Sequence, residues 1–315
     1  MFVFIPPSFT SKSGSQISIP KVREVFNEKN QKLPFSHAEK IIGTSTEKLY
    51  LLDTELSNIF MLFGNRDPVR LCKQNIDFPS DISLDGKGNI WILSAFNSKI
   101  SMVNSSCDSL LNFTPKHLPL KIQVNSFDEV IVLTGEGDSL FEVYNSRGQF
   151  LRGFGQRIQY GDPITDSELS DGRLVADKSG GIYFSFNYPP LIRHYARNGK
   201  LLSEFKPESD VKILPPNITV ERKGKSMTVS SQYQILVLDM AVDASNRLYL
   251  LISGENRFQA LTNGSRKLRV VTESGVLIQE TPLDQRFHRV TTDGKRLYLL
   301  NNRKSLCLQE FRIHG

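Results

Sequence analysis

The fold class predicted by the sequence is an all-β, six-bladed β-propeller with four-stranded antiparallel blades. Three observations predict it. Six segments share one grammar, their spacing suits a unit of about four short strands, and no long amphipathic helix interrupts them.

The segments are IIGTSTEKLYLL (Ile41 to Leu52), ISLDGKGNIWIL (Ile82 to Leu93), IQVNSFDEVIVL (Ile122 to Leu133), LVADKSGGIYFS (Leu174 to Ser185), MAVDASNRLYLL (Met240 to Leu251) and VTTDGKRLYLL (Val290 to Leu300), the last one residue shorter. Aligned on the apolar residue after the turn (Leu49, Ile90, Val130, Ile182, Leu248 and Leu297), they lie 41, 40, 52, 66 and 49 residues apart. A short repeat with two insertions fits.

Each unit opens with an apolar run, turns through polar residues such as Asp85-Gly86-Lys87-Gly88-Asn89, and returns with a second apolar run. That pattern reads as a β-hairpin. An aromatic follows the anchor in five of six units: Tyr50, Trp91, Tyr183, Tyr249 and Tyr298, against Ile131. Third strands are expected at IFMLFG, KISMVN, LFEVYN, LIRHYA, LRVVTE and LCLQEF. Fourth strands follow further turns, as in Ser146-Arg147-Gly148 before FLRGFG and Arg197-Asn198-Gly199 before LLSEF. The last unit stops after its third strand, which would leave an open edge. SQISIPKVREVF (Ser15 to Phe26) can supply the missing strand. Residues 1–39 are therefore read as a closing segment and 40–315 as the propeller, together one domain.

FPSDISLDGKGNIWIL (Phe78 to Leu93) resembles an NHL repeat: Pro, an acidic residue, an apolar strand, Asp, a Gly-containing turn and an aromatic in the second strand. NSRGQFLRGFG (Asn145 to Gly155) resembles the end of such a repeat. The resemblance covers most of residues 40–315 and implies the six-bladed fold. It leaves function open, because this architecture hosts ligand binders, lyases, lactonases and RNA-binding modules. The first and last units depart most. Thr44 stands where the turn Asp is expected, and the last turn is one residue short.

With 39% apolar and 23% charged residues, a chain of 315 residues can bury a core. The net charge of +6 permits an acidic partner without requiring one. Three cysteines, Cys72, Cys107 and Cys307, are too few for a disulfide framework, although one pair can form. No C-x-x-C is present, which disfavours structural zinc of the usual kind. The apolar start Phe2 to Ile5 is cut by Pro6 and Pro7. It is too short for a signal peptide, so a cytoplasmic protein is expected, or an extracytoplasmic one if this start is truncated or processed. No run reaches the length of a membrane helix.

Nine residues before each anchor stand Lys40, Asp81, Lys121, Arg173, Asp239 and His288, all ionisable. At the entry to the innermost strands they are expected to ring the channel mouth, the candidate ligand-binding site. In one reading the ring binds a ligand, and Asp239 and His288 share a proton or a cation. In the other it pairs with itself, Asp81 between Lys40 and Lys121, and Asp239 between Arg173 and His288, because charges in a narrow channel need partners. The basic members oppose a divalent cation. Of the five histidines (His37, His117, His194, His288 and His314) only His288 falls at the channel position, which argues against a histidine-held zinc. No cofactor is evident and no catalytic residue is assigned. In either reading the ring marks where an anionic small molecule would be drawn.

Two insertions, Gln156 to Gly172 and about Pro207 to Leu238, should rise on the ring's face, the second as a hairpin around Lys223-Gly224-Lys225. Phe96, Phe186 and Tyr188 are expected there as exposed aromatics. Arg266, Lys267 and Arg269 make a local basic patch, but no basic and aromatic stripe runs along the repeat, which disfavours nucleic acid. Nucleophile-elbow, phosphate-loop and dinucleotide-glycine patterns are missing from the sequence. The expected function is a monomeric, non-catalytic scaffold that binds a protein or small-molecule ligand through its top face. The alternative is a lactonase-like lyase or hydrolase at the channel mouth, with RNA binding third.

Overall fold

One side chain organises each hairpin turn. In blade 2, Asp85 accepts hydrogen bonds from the backbone N–H of Lys87 and Asn89 at 3.0 and 2.9 Å. Asp243 does the same for Ser245 and Arg247 at 2.8 and 3.0 Å, and Asn125 for Phe127 and Glu129 at 2.9 and 3.0 Å. In three blades the aromatic after the anchor completes this device. Trp91 Nε1 donates to Asp85 at 3.4 Å, Tyr249 Oη to Asp243 at 3.0 Å and Tyr298 Oη to Asp293 at 3.1 Å. The turn carboxylate is thus satisfied from both sides while the ring fills the core. Gly88, at φ +81°, holds the left-handed position that closes the Asp85 turn.

The computed structural model describes residues 19–27, 34–35, 37–64, 66–72, 76–223, 226–303 and 306–313. Six four-stranded antiparallel sheets form the blades. Their innermost strands are Ala38–Gly43, Asp81–Leu84, Pro119–Val124, Gly172–Ala176, Gln234–Val242 and Arg289–Thr292. These strands touch in ring order, and Ala38–Gly43 meets Arg289–Thr292 to close the circle. The architecture is a six-bladed β-propeller.

The outermost strand of blade 6 is Lys21–Asn27, paired antiparallel with Cys307–Arg312. The expected closing strand began at Ser15; residues 15–18 lie outside the described residues.

Packing follows from the repeat. A blade is a sheet with two apolar faces, and each face needs a neighbour. Six apolar clusters accordingly lie between successive blades. Between blades 2 and 3, for example, Trp91, Leu93 and Ile100 meet Ile122, Val124 and Val130.

The insertions rise on the face where the innermost strands begin. The first carries a short helix, Pro163–Leu169, capped by Asp162, which accepts from Thr165 N at 2.8 Å. The second carries the paired strands Asn217–Lys223 and Ser226–Gln232; its turn residues 224 and 225 lie outside the described residues. A further short helix, Arg257–Asn263, links the second and third strands of blade 5. Arg257 and Glu168, 2.9 Å apart, tie the two helices together. Leu169 and Ala260 are buried in one cluster beneath them.

Cys72 and Cys107 form a disulfide that closes a sequence separation of 35, and Cys307 is free and buried. Among the described residues, no helix is long and apolar enough to cross a membrane.

Candidate functional site

The innermost strands surround a cavity of about 300 Å3 that runs along the channel, from Glu39 and Ser80 at the strand entries to Thr44 and Thr292 at the far end. Lys40, Asp81, Lys121, Arg173 and Asp239 line it, as expected of the ring. His288 does not. The sixth place belongs to Arg289, which pairs with Leu300 as Asp81 pairs with Leu93 and Asp239 with Leu251. The reason is the short last turn. Asp293 N bonds Arg296 O, whereas in blade 2 Asp85 N reaches Asn89 O, one residue further on. A count of nine from Leu297 therefore overshoots by one. Glu39 also lines the cavity and was not anticipated.

Four cations thus face three carboxylates around the mouth. Most of them are fixed to the next blade. Asp81 sits 3.2 Å from Lys40 Nζ, and its second oxygen accepts from Ile122 N at 3.0 Å. Asp239 sits 3.8 Å from Arg173 Nε and accepts from Val290 N at 2.9 Å. Arg173 donates to Leu238 O at 2.7 Å. Arg289 donates to Glu39 O at 2.5 Å, to the Glu39 carboxylate, and to His288 O at 3.0 Å. Each bond spans two blades or stiffens a strand entry, so the self-paired ring is present with altered partners. Asp81 takes Lys40 and a backbone N–H rather than Lys121. Asp239 takes Arg173 and a backbone N–H rather than His288, so it shares no proton with that imidazole.

Lys121 is different. Among the described residues it alone of the four cations has no carboxylate or backbone oxygen within bonding distance. The ring therefore carries one net positive charge, and Lys121 is the member that acts on a carboxylate, that of Glu39, only through space. Burial would raise the pKa of Glu39, but the charge of Arg289 and the hydrogen bond from His37 outweigh it. Its carboxyl is held well below the usual range and stays ionised. Below the ring the wall mixes Ile42 and Val175 with Ser83, Gln123 and Thr291. Ser83 accepts from Val124 N at 2.8 Å and Thr291 from Gly43 N at 3.1 Å, so these polar groups also serve the neighbouring strands.

His288 is buried against blade 5, with Nε2 3.3 Å from Thr262 O and no partner at Nδ1. Burial first, then the charge of Arg289, pushes its pKa down from 6.5 to about 4. The folded protein thus resists a proton that the unfolded chain accepts. The stability due to the neutral ring is complete above pH 6.5 and is lost as pH falls towards 4. The expected cost across that window is on the order of 3 kcal/mol. Urea titrations should show this acid decrement in the parent and a smaller one in His288→Gln; equal decrements would assign the acid sensitivity elsewhere.

Other expectations fare unevenly. Phe96 is 83% exposed, Tyr188 half-buried and Phe186 fully buried. The patch at Arg266, Lys267 and Arg269 is largely neutralised: Asp210 and Glu280 pair with both Lys267 and Arg269. His194 is stacked on Tyr183 at 3.9 Å and bonded to Asp177 at 2.8 Å, in the third strand of blade 4. Among the described residues no group of three or more His, Cys, Asp or Glu is arranged to hold a metal.

No protein-family profile matches the chain, and no curated protein matches its sequence. Its fold is similar to that of virginiamycin B lyase from Staphylococcus aureus, with 11% identity, a TM-score of 0.56, and coverage of 90% of this chain and 83% of that one. A gluconolactonase from Xanthomonas campestris matches with 10% identity and a TM-score of 0.57, over 90% and 88% of the two chains. A member of the DUF4221 family from Bacteroides vulgatus matches with 12% identity and a TM-score of 0.60, over 95% and 99%. Likeness at these identities establishes the six-bladed propeller and no particular activity.

Proposed function

We propose that this protein is a non-catalytic binding propeller whose channel mouth takes one small anionic group, a carboxylate or a phosphate. The single observation that carries this reading is Lys121, the ring cation with no carboxylate or backbone oxygen in bonding contact among the described residues. A cavity of about 300 Å3 lies at the lower end of ligand-pocket sizes, which suits a small anionic group. The scaffold reading is favoured over the lyase or hydrolase one because Asp81 and Asp239 already accept backbone N–H groups and His288 lies outside the channel. The Cys72–Cys107 disulfide favours an extracytoplasmic setting, since such bonds persist in oxidising compartments.

Calorimetric titration with citrate at low ionic strength tests the reading. Lys121→Met is expected to lose about 1.5–3 kcal/mol of binding, roughly ten- to a hundredfold in affinity, with an unchanged melting temperature. Equal binding by parent and variant would overturn the site. Turnover of a lactone by the parent chain would move the protein to the enzyme reading.

A further inference from the structure

We infer that the anion is presented by a protein partner: an acidic residue of an extended segment that crosses the channel mouth, with apolar residues on both sides of the acid. This rests on the channel mouth being an anion site and names what brings the anion.

The argument starts from three exposed phenylalanines on the ring's face. Phe78 precedes the innermost strand of blade 2, and Phe96 lies between its second and third strands. They are 62% and 83% exposed, with ring centroids 5.3 Å apart. Both rings therefore present their apolar faces to water as one platform, although a large apolar surface ordinarily turns inward. The platform is held rigidly. Ser94 Oγ donates to Asp77 O at 2.5 Å, Asn97 Nδ2 to Asp77 Oδ2 at 2.6 Å, and Ser80 Oγ to Leu93 O at 3.1 Å. Phe78 itself sits at φ +42°, a left-handed conformation that a bulky side chain adopts at a cost. The fold thus holds an aromatic outward at the expense of local strain.

Phe258, 78% exposed, stands on the same face of blade 5. Its short helix is capped by Asn256, which accepts from Gln259 N at 2.9 Å, and is anchored through buried Ala260. In a ring of six, blades 2 and 5 are opposite one another. The two aromatic sites therefore flank the charge of Lys121 from both sides. None of the three phenylalanines lines the cavity, so a ligand held inside it leaves them bare, whereas a polypeptide crossing the mouth can meet both sites. Aromatic side chains are enriched at protein interfaces, and pre-ordered side chains lower the entropic cost of docking. The ring's net positive charge sets the partner's sign as negative.

The test uses the whole chain with its disulfide intact. Phage-displayed random dodecapeptides are selected on the parent protein, and the enriched sequences are synthesised and titrated. The expected peptides carry one Asp or Glu between apolar residues. Phe96→Ser and Phe258→Ser should each weaken them on the order of tenfold, while citrate affinity stays at the parent value; both positions are exposed, so folding is preserved. Lys121→Met should weaken peptide and citrate together. Enriched peptides lacking an acid, or peptides indifferent to both serine variants, would overturn the inference while citrate binding stands. Loss of citrate binding in the parent itself would instead overturn the anion site on which the inference rests.

Discussion

A chain beginning at residue 28, and so lacking the strand Lys21–Asn27, is expected to fail to fold cooperatively. That strand is the fourth of blade 6, and its loss turns Cys307–Arg312 from an internal strand into an open edge. It also uncovers the core between blades 6 and 1. Phe26 is 4% exposed, and its ring centroid lies 5.3 Å from that of Phe35, itself 5.3 Å from Phe60. Removing one such buried aromatic costs about 3–5 kcal/mol. The backbone ladder and the Arg23–Glu310 contact at 2.9 Å are lost with it. Against a total stability of roughly 5–15 kcal/mol the sum is decisive. Circular dichroism melts should show no sigmoidal transition, and gel filtration should show association through the exposed edge. A peptide of residues 19–35 added in excess should restore the transition by pairing in trans. A truncated chain that melts at the parent temperature would mean that the ring is closed by other contacts. The single change Phe26→Ala should lower the melting temperature without abolishing the transition, which separates loss of packing from loss of the strand.

The fold was legible because most blades repeat one local device. Polar turns with Asp or Asn, and an aromatic after the anchor, are visible as letters and explicable as hydrogen bonds: Trp91 to Asp85, Tyr249 to Asp243. Five ring residues were legible from spacing alone, since a constant hairpin length converts a count into a position. The count failed where that length changed, and gave His288 in place of Arg289. Glu39 was hidden by a different cause. A register shift between Ala38 and Lys40 breaks the strict alternation of the strand, so that both Glu39 and Lys40 line the channel. No periodicity in the sequence announces such a bulge. The helix Arg257–Asn263 was equally silent, because seven residues are too few for an amphipathic period. Phe186 was misread as exposed because part of its cover comes from elsewhere: Ile158 of the first insertion packs in the same cluster.

The pair Glu39–Arg289 offers a test in which stability and binding move in opposite directions. Arg289 is 6% exposed, and the guanidinium contacts both the carboxylate and the backbone oxygen of Glu39 across the blade 6 to blade 1 junction. Glu39→Gln leaves a buried cation without its nearest counterion, at an expected cost of about 3 kcal/mol in unfolding free energy. The same change leaves four cations facing two carboxylates at the channel mouth. At an effective dielectric of about 40 and a separation of about 8 Å, one charge is worth about 1 kcal/mol, so citrate should bind roughly fivefold more tightly. Arg289→Met also destabilises, since Glu39 then keeps the contact with His37 at 3.2 Å and only the more distant charges of Arg173 and Lys121, but it leaves three cations facing three carboxylates and should weaken citrate by a similar factor. Urea titration and calorimetry on the two variants read both quantities. If the residues served structure alone, both variants would lose stability and neither would change affinity. If the channel mouth is an anion site, the two variants fall on the same side of the parent in stability and on opposite sides in affinity, because Coulomb attraction over this distance depends on the charge that remains.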